Sequence, residues 1–127
     1  GVGRVLEVSP GTGALLRAAA RVVPAQGWIG FVGVHDIGWV AAGEAGIDLS
    51  RVLSVPDPGP LAADVVATLL DGVDVLCMEE ADLSLPQQRR LAARIRRDGR
   101  IILTSRAWPG ISRPHRRLGI PAREEAV

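Results

Sequence analysis

The chain has 127 residues, enough for one domain that buries roughly two thirds of its unfolded surface, and 47% of them are hydrophobic. No apolar stretch approaches the ~18 residues of a membrane span and no signal peptide is visible, so a cytoplasmic protein with no membrane partner is expected. The net charge of +1 hides a division: residues 1–85 carry 4 Arg against 11 acids, a balance of −7, and residues 86–127 carry 11 Arg against 3 acids, a balance of +8.

In chain order, residues 4–8 (RVLEV) predict a first strand, and residues 9–13 (SPGTG) a tight turn. An Ala/Leu-rich helix is expected over 14–23, stopped by Pro24. A second strand follows at 28–34 (WIGFVGV), a short helix at about 38–45 and a third strand at 51–55 (RVLSV). The turn PDPGP then leads into a helix over 61–70, with apolar residues spaced by three and four. Residues 73–78 (VDVLCM) and 100–104 (RIILT) read as the last strands, and 86–98 between them as a helix with Pro86 at its start and Gly99 beyond its end. Most strands are continuously apolar, as in a parallel sheet covered on both faces. Strand and helix alternate, which predicts an open α/β sheet with ligands at the carboxyl ends of the strands. Residues 1–106 are expected to form the core and 107–127 a basic, flexible tail. The lack of an initiator Met before the first strand reads as a piece of a longer protein.

The turn SPGTG poses the chemical question. A phosphate loop needs backbone N–H groups around its glycines, a Lys for the phosphate charge and a Ser or Thr hydroxyl for Mg²⁺. Ser9, Gly11, Thr12 and Gly13 offer the first, but Ala14 and Leu15 stand where the other two belong. A bare helix N-terminus favours an anion by about 0.3–2 kcal/mol, whereas micromolar nucleotide binding needs about 8 kcal/mol. The expectation is therefore a remnant of a nucleotide site with Ser9 or Thr12 as helix cap, and Arg17 one turn on within reach of it. No cofactor is expected, with ATP and Mg²⁺ as the alternative. Glu79, after an apolar strand, has the place of an acid that holds Mg²⁺ through water. No catalytic residue and no metal ligand is assigned. His35 and Asp36 follow the second strand, where a base could sit or where a plain loop pair would be found. The lone Cys77 reads as a packed core residue.

Arg89, Arg90, Arg94, Arg96 and Arg97 crowd the flank of the last helix away from Leu91 and Ile95, and Arg116 and Arg117 continue the basic half. They suit a solvated helix face with a flexible tail, an acidic protein surface, or single-stranded nucleic acid. Aromatic residues for base stacking are nearly absent there, Trp108 excepted. Trp108, beside Pro109 and Gly110, is either an exposed partner anchor or folded back over the last strand.

Taken in order, the pieces resemble the RecA family core over residues 3–106. The carriers are Gly3 to Val8, Phe31-Val32 followed by His35-Asp36, Gly46 to Leu53 followed by Pro56-Asp57, and Asp74 to Glu79. The resemblance implies a RecA-like P-loop three-layer αβα fold with a five-stranded, mostly parallel sheet. The chain departs from the family in its shortened loop without Lys and Ser/Thr, in His35 near the place of the catalytic Glu, and in the absence of a Gln from Leu103-Thr104-Ser105-Arg106. A reduced RecA-like core in an Arg/Ala-rich sequence is similar to actinobacterial accessory proteins of the ImuA type. That resemblance implies a non-catalytic scaffold in the DNA damage (SOS) response and error-prone translesion synthesis, docking polymerase-type proteins. The alternative is an ATP-binding RecA-type ATPase or recombinase domain that binds single-stranded DNA.

Overall fold

The computed structural model describes residues 3–115. Its strands are β1 (Arg4–Glu7), β2 (Ile29–Val32), β3 (Val52–Val55), β4 (Val75–Met78), β5 (Ile101–Thr104) and β6 (Arg113–Pro114). They form one sheet in the order β3-β2-β4-β5-β1-β6, and every pairing in it is parallel. The helices are α1 (Thr12–Val22), α2 (Trp39–Glu44), α3 (Ala62–Leu69) and α4 (Leu85–Asp98). Each of the first five strands is thus separated from the next by helix, as a parallel ladder requires.

Side-chain alternation divides the interior into two layers. Leu6, Phe31, Cys77 and Leu103 face α1 and α2, where Leu15, Ala18, Ala19 and Ala42 close over them. Val5, Val32, Leu76 and Ile102 face α3 and α4, meeting Val66, Leu70, Leu91 and Ile95. All four residues of β2 and of β4 are buried, which is why these segments are apolar without interruption. Cys77 lies in the first layer, and burial pushes its thiol pKa up, so it is a core residue. Helix α4 shows how its sequence sets its ends. Ser84 and Gln87 form a reciprocal capping box, Pro86 occupies the first turn, and Gly99 ends the helix at φ 74. Among the described residues no helix is long and apolar enough to cross a membrane.

The structure departs from the sequence expectation after residue 106. The sheet has six strands rather than five, because Arg113 and Pro114 return beside Leu6 and Glu7. Trp108 is 3% exposed and packs into the layer beneath α4, so it is not a surface anchor. Its backbone N–H donates to Ser112 Oγ (2.8 Å), and that hydroxyl donates to the Glu7 carboxylate (2.6 Å). The fold therefore continues to residue 115, and the indole joins the cluster that Leu91 and Ile95 of α4 form with the sheet. Trp108→Ala should lower the unfolding free energy by about 3–5 kcal/mol, as for other large-to-small core replacements, with an earlier urea midpoint as the readout. A loss below about 1 kcal/mol would show that the turn is only lightly attached.

Candidate functional site

The loops after β1, β2, β3 and β4 meet at the carboxyl rim of the sheet. The turn SPGTG leads from β1 into α1, and the N-cap position belongs to Gly11 (φ 110), not to Ser9 or Thr12. A left-handed φ is open to glycine at little cost, so the chain turns there without a capping side chain. Thr12 instead sends its hydroxyl toward the His35 carbonyl, a long hydrogen bond of 3.5 Å. Ala14 and Leu15 are both buried and belong to the core side of α1, so neither position faces the turn. The guanidinium of Arg17 folds back over Gly13, where an added Cβ would lie 3.2 Å from its Nη1.

The strand-end acid falls elsewhere than expected. Glu79 lines a cavity of about 150 Å³ with Gln88, Thr104, Arg106 and Trp108, and none of residues 9–13 lines it. The next residue, Glu80, reaches the rim instead. His35 Nε2 is 2.8 Å from Asp57 Oδ1 and its Nδ1 is 3.5 Å from Glu80 Oε1. Sequence reasoning missed both acids: Asp57 stood as part of a turn, and Glu80 as the neighbour of a better-placed carboxylate. One cue lay in Gly33 (φ 68), whose N–H donates to Val55 O and whose carbonyl accepts from Glu80 N–H. A Cβ there would come within 2.2 Å of Glu80 O, so glycine alone lets the loop after β4 close on β2. Asp36 completes the bend in a left-handed conformation (φ 56) that Asp tolerates better than most residues.

The hydrogen bond to Asp57 raises the His35 pKa above its ordinary 6.5, with the charges of Asp57, Glu80 and Asp36 adding to it and partial desolvation opposing it. His35 thus acts as a clasp that joins the loops after β2, β3 and β4. Among the described residues no group of three His, Cys, Asp or Glu could hold a metal ion. A magnesium triphosphate finds a poor fit: the glycine turn has one Arg beside it, the positions for Lys and hydroxyl are buried aliphatics, and Glu79 opens on another cavity.

The predicted arginines separate into two groups. Arg94 is bound inward, donating to Ala67 O (2.8 Å) and to Asp71 and lying 3.5 Å from Asp98. It fastens α4 to the end of α3. Arg89, Arg90, Arg96 and Arg97 are exposed, Arg97 with its Nε 3.8 Å from Asp98. Arg116 and Arg117 lie outside the described residues.

With this geometry in view, the chain matches the MT3502 N-terminal domain over residues 1–110 and belongs to that family. It is 40% identical over 101 residues to the uncharacterized protein Rv3395c of Mycobacterium tuberculosis. The match covers 77% of this chain and 50% of the relative, so the chain spans about half the length of that protein.

Two outcomes follow from the contacts. Arg94→Ala should lower stability by about 1–2 kcal/mol in urea unfolding, its partners being partly exposed, whereas Arg90→Ala should stay within about 0.5 kcal/mol; equal effects would show that Arg94 is not a fastener. For His35, a folded pKa above 6.5 means that the clasp contributes in full below that pH and is lost as pH rises through the raised value. NMR titration of the imidazole should give a midpoint above 6.5, which Asp57→Asn shifts downward. An unchanged midpoint in the variant would remove Asp57 from the clasp.

Proposed function

We propose that this protein is a RecA-like docking platform of a translesion-synthesis assembly, holding polymerase-type proteins in the DNA damage response without hydrolysing nucleotide. One observation carries the reading: the strand–glycine turn–helix frame is kept while the positions that would grip a triphosphate are buried aliphatics, Ala14 and Leu15. A frame retained without its grip is free to serve as a rigid support for surfaces. The exposed Arg89, Arg90 and Arg97 on α4 supply one such surface, and it is cationic and close to the core. The −7/+8 division of charge along the chain favours an acidic partner for it. Against a nucleic-acid face, Trp108 is buried and so offers no ring for base stacking.

A second reading, an ATP-binding domain that also takes single-stranded DNA, draws support from Arg17 lying over Gly13. A cation at a helix N-terminus could replace part of the missing Lys. The two readings part in one titration. With a fluorescent ATP analogue and Mg²⁺, the platform shows no saturation in the micromolar range; micromolar saturation lost on Arg17→Ala would establish the second reading instead. In parallel, Arg89→Glu/Arg90→Glu/Arg97→Glu should weaken co-purification with a Y-family polymerase-like partner. Undiminished capture would take α4 out of the docking role.

A further inference from the structure

Beside the exposed flank of α4 lies a feature that the docking-platform reading does not use. A groove of about 130 Å³ runs between β1, α4 and the approach to β6, lined by Val5, Leu6, Ala92, Ile95 and Ile111 and by Arg4, Arg96 and Arg113. Three chain segments far apart in sequence thus bring three arginine residues to one aliphatic depression. All three arginines are exposed, and none has an acidic partner among the described residues. Arg51, Arg94, Arg97 and Arg100 are each close to an aspartate, so the groove arginines belong with those whose charge is left to solvent.

The strand edge adds a second, independent observation. β6 pairs with β1 at Leu6 and Glu7, so among the described residues β1 has no strand partner on that side in register with Arg4 and Val5. An edge of this kind accepts an extended segment through main-chain hydrogen bonds, with side-chain pockets reading alternate residues. Here one alternate set would meet the aliphatic floor and the other the arginines at the rim.

We propose that this groove binds an extended acidic peptide carrying aliphatic residues, its carboxylates paired with Arg4, Arg96 and Arg113 and an aliphatic side chain on Val5, Ala92, Ile95 and Ile111. Arginine suits the task because its planar fork takes a carboxylate through two parallel hydrogen bonds. A nucleic acid strand fits less well, since phosphate would satisfy the arginines but no aromatic ring lines the groove to receive a base. The inference rests on the groove itself and goes beyond the docking-platform reading.

Fluorescence anisotropy with a dye-labelled peptide of alternating glutamate and leucine tests it on the intact chain, with no polymerase-type protein in the assay. Saturable binding is expected, lost when glutamine replaces glutamate and weakened roughly tenfold or more by Arg96→Glu/Arg113→Glu. Arg21→Glu, exposed at the end of α1 and outside the groove, should leave the affinity within about twofold. Arg4→Gln gives a milder second variant in case the double reversal unfolds, and Ile111→Asp tests the floor. Absence of saturable peptide binding overturns the proposal. So does equal affinity for the glutamine peptide, or a thymidine oligonucleotide that binds more tightly and is released by the same reversals. If the peptide binds while the polymerase-like partner is still not captured, only the docking-platform reading fails.

Discussion

A parallel sheet of short strands survives only if both of its faces are covered, and nearly every feature of this protein answers to that constraint. The five principal strands have four residues each, too few for ladder hydrogen bonds alone to hold them. Burial has to supply the rest. Alternate residues of β1 therefore serve different layers, Val5 beneath α4 and Leu6 beneath α1. On the α4 face Trp108 adds a single large side chain to the cluster of Val5, Leu91 and Ile95. The hydroxyl of Ser112 then ties the turn that carries the indole back to Glu7. What looked like a tail is thus drawn into the sheet by the same demand that made the helices.

Coverage on both faces leaves the rim of the sheet as the place where polar groups can gather. At the carboxyl ends, the loops are joined by a chain of contacts from Thr12 through His35 to Asp57 and Glu80. That arrangement spends the rim's titratable groups on one another. The imidazole between two carboxylates joins the loops after β2, β3 and β4 at one point. Meanwhile the helix that follows the glycine turn places aliphatic residues toward the core at its first turn, as the packing of α1 on β4 and β5 requires.

The elements were largely legible in the sequence because each is governed by a local signal. Apolar-rich runs marked the five longer strands, Pro86 and Gly99 bracketed α4, and Pro24 followed α1. β6 was invisible because two residues containing a proline have no periodicity, and their pairing depends on a turn held by Trp108 and Ser112. The site was legible only in outline. The glycine turn and the absence of its chemical partners could be read directly. The choice of Glu80 over Glu79 at the rim could not, since adjacent residues of a strand end point to opposite sides and only Gly33's contact with the β4 loop fixes which one faces His35. Likewise a row of arginines on a helix does not disclose that Arg94 turns inward to Ala67 and Asp71 while Arg96 turns toward β1.

Charge division along the chain gains its meaning from that sorting. Eleven arginines after residue 85 suggest a uniformly basic half, but the fold uses them in different ways. Arg94 and Arg100 neutralise Asp71 and Asp74 from the acidic half, which binds the two halves into one unit. Arg89 and Arg90 remain in water, where a charge repels like charge and keeps the surface soluble at little energetic cost. Arg96 and Arg113, joined by Arg4 from the acidic half, stand around aliphatic surface with no acidic partner among the described residues. Uncompensated guanidinium groups beside a hydrophobic floor and an open strand edge gain most from a ligand that brings carboxylates and an apolar side chain together. The selective part of the basic half is therefore the groove, where shape limits what can answer the charge.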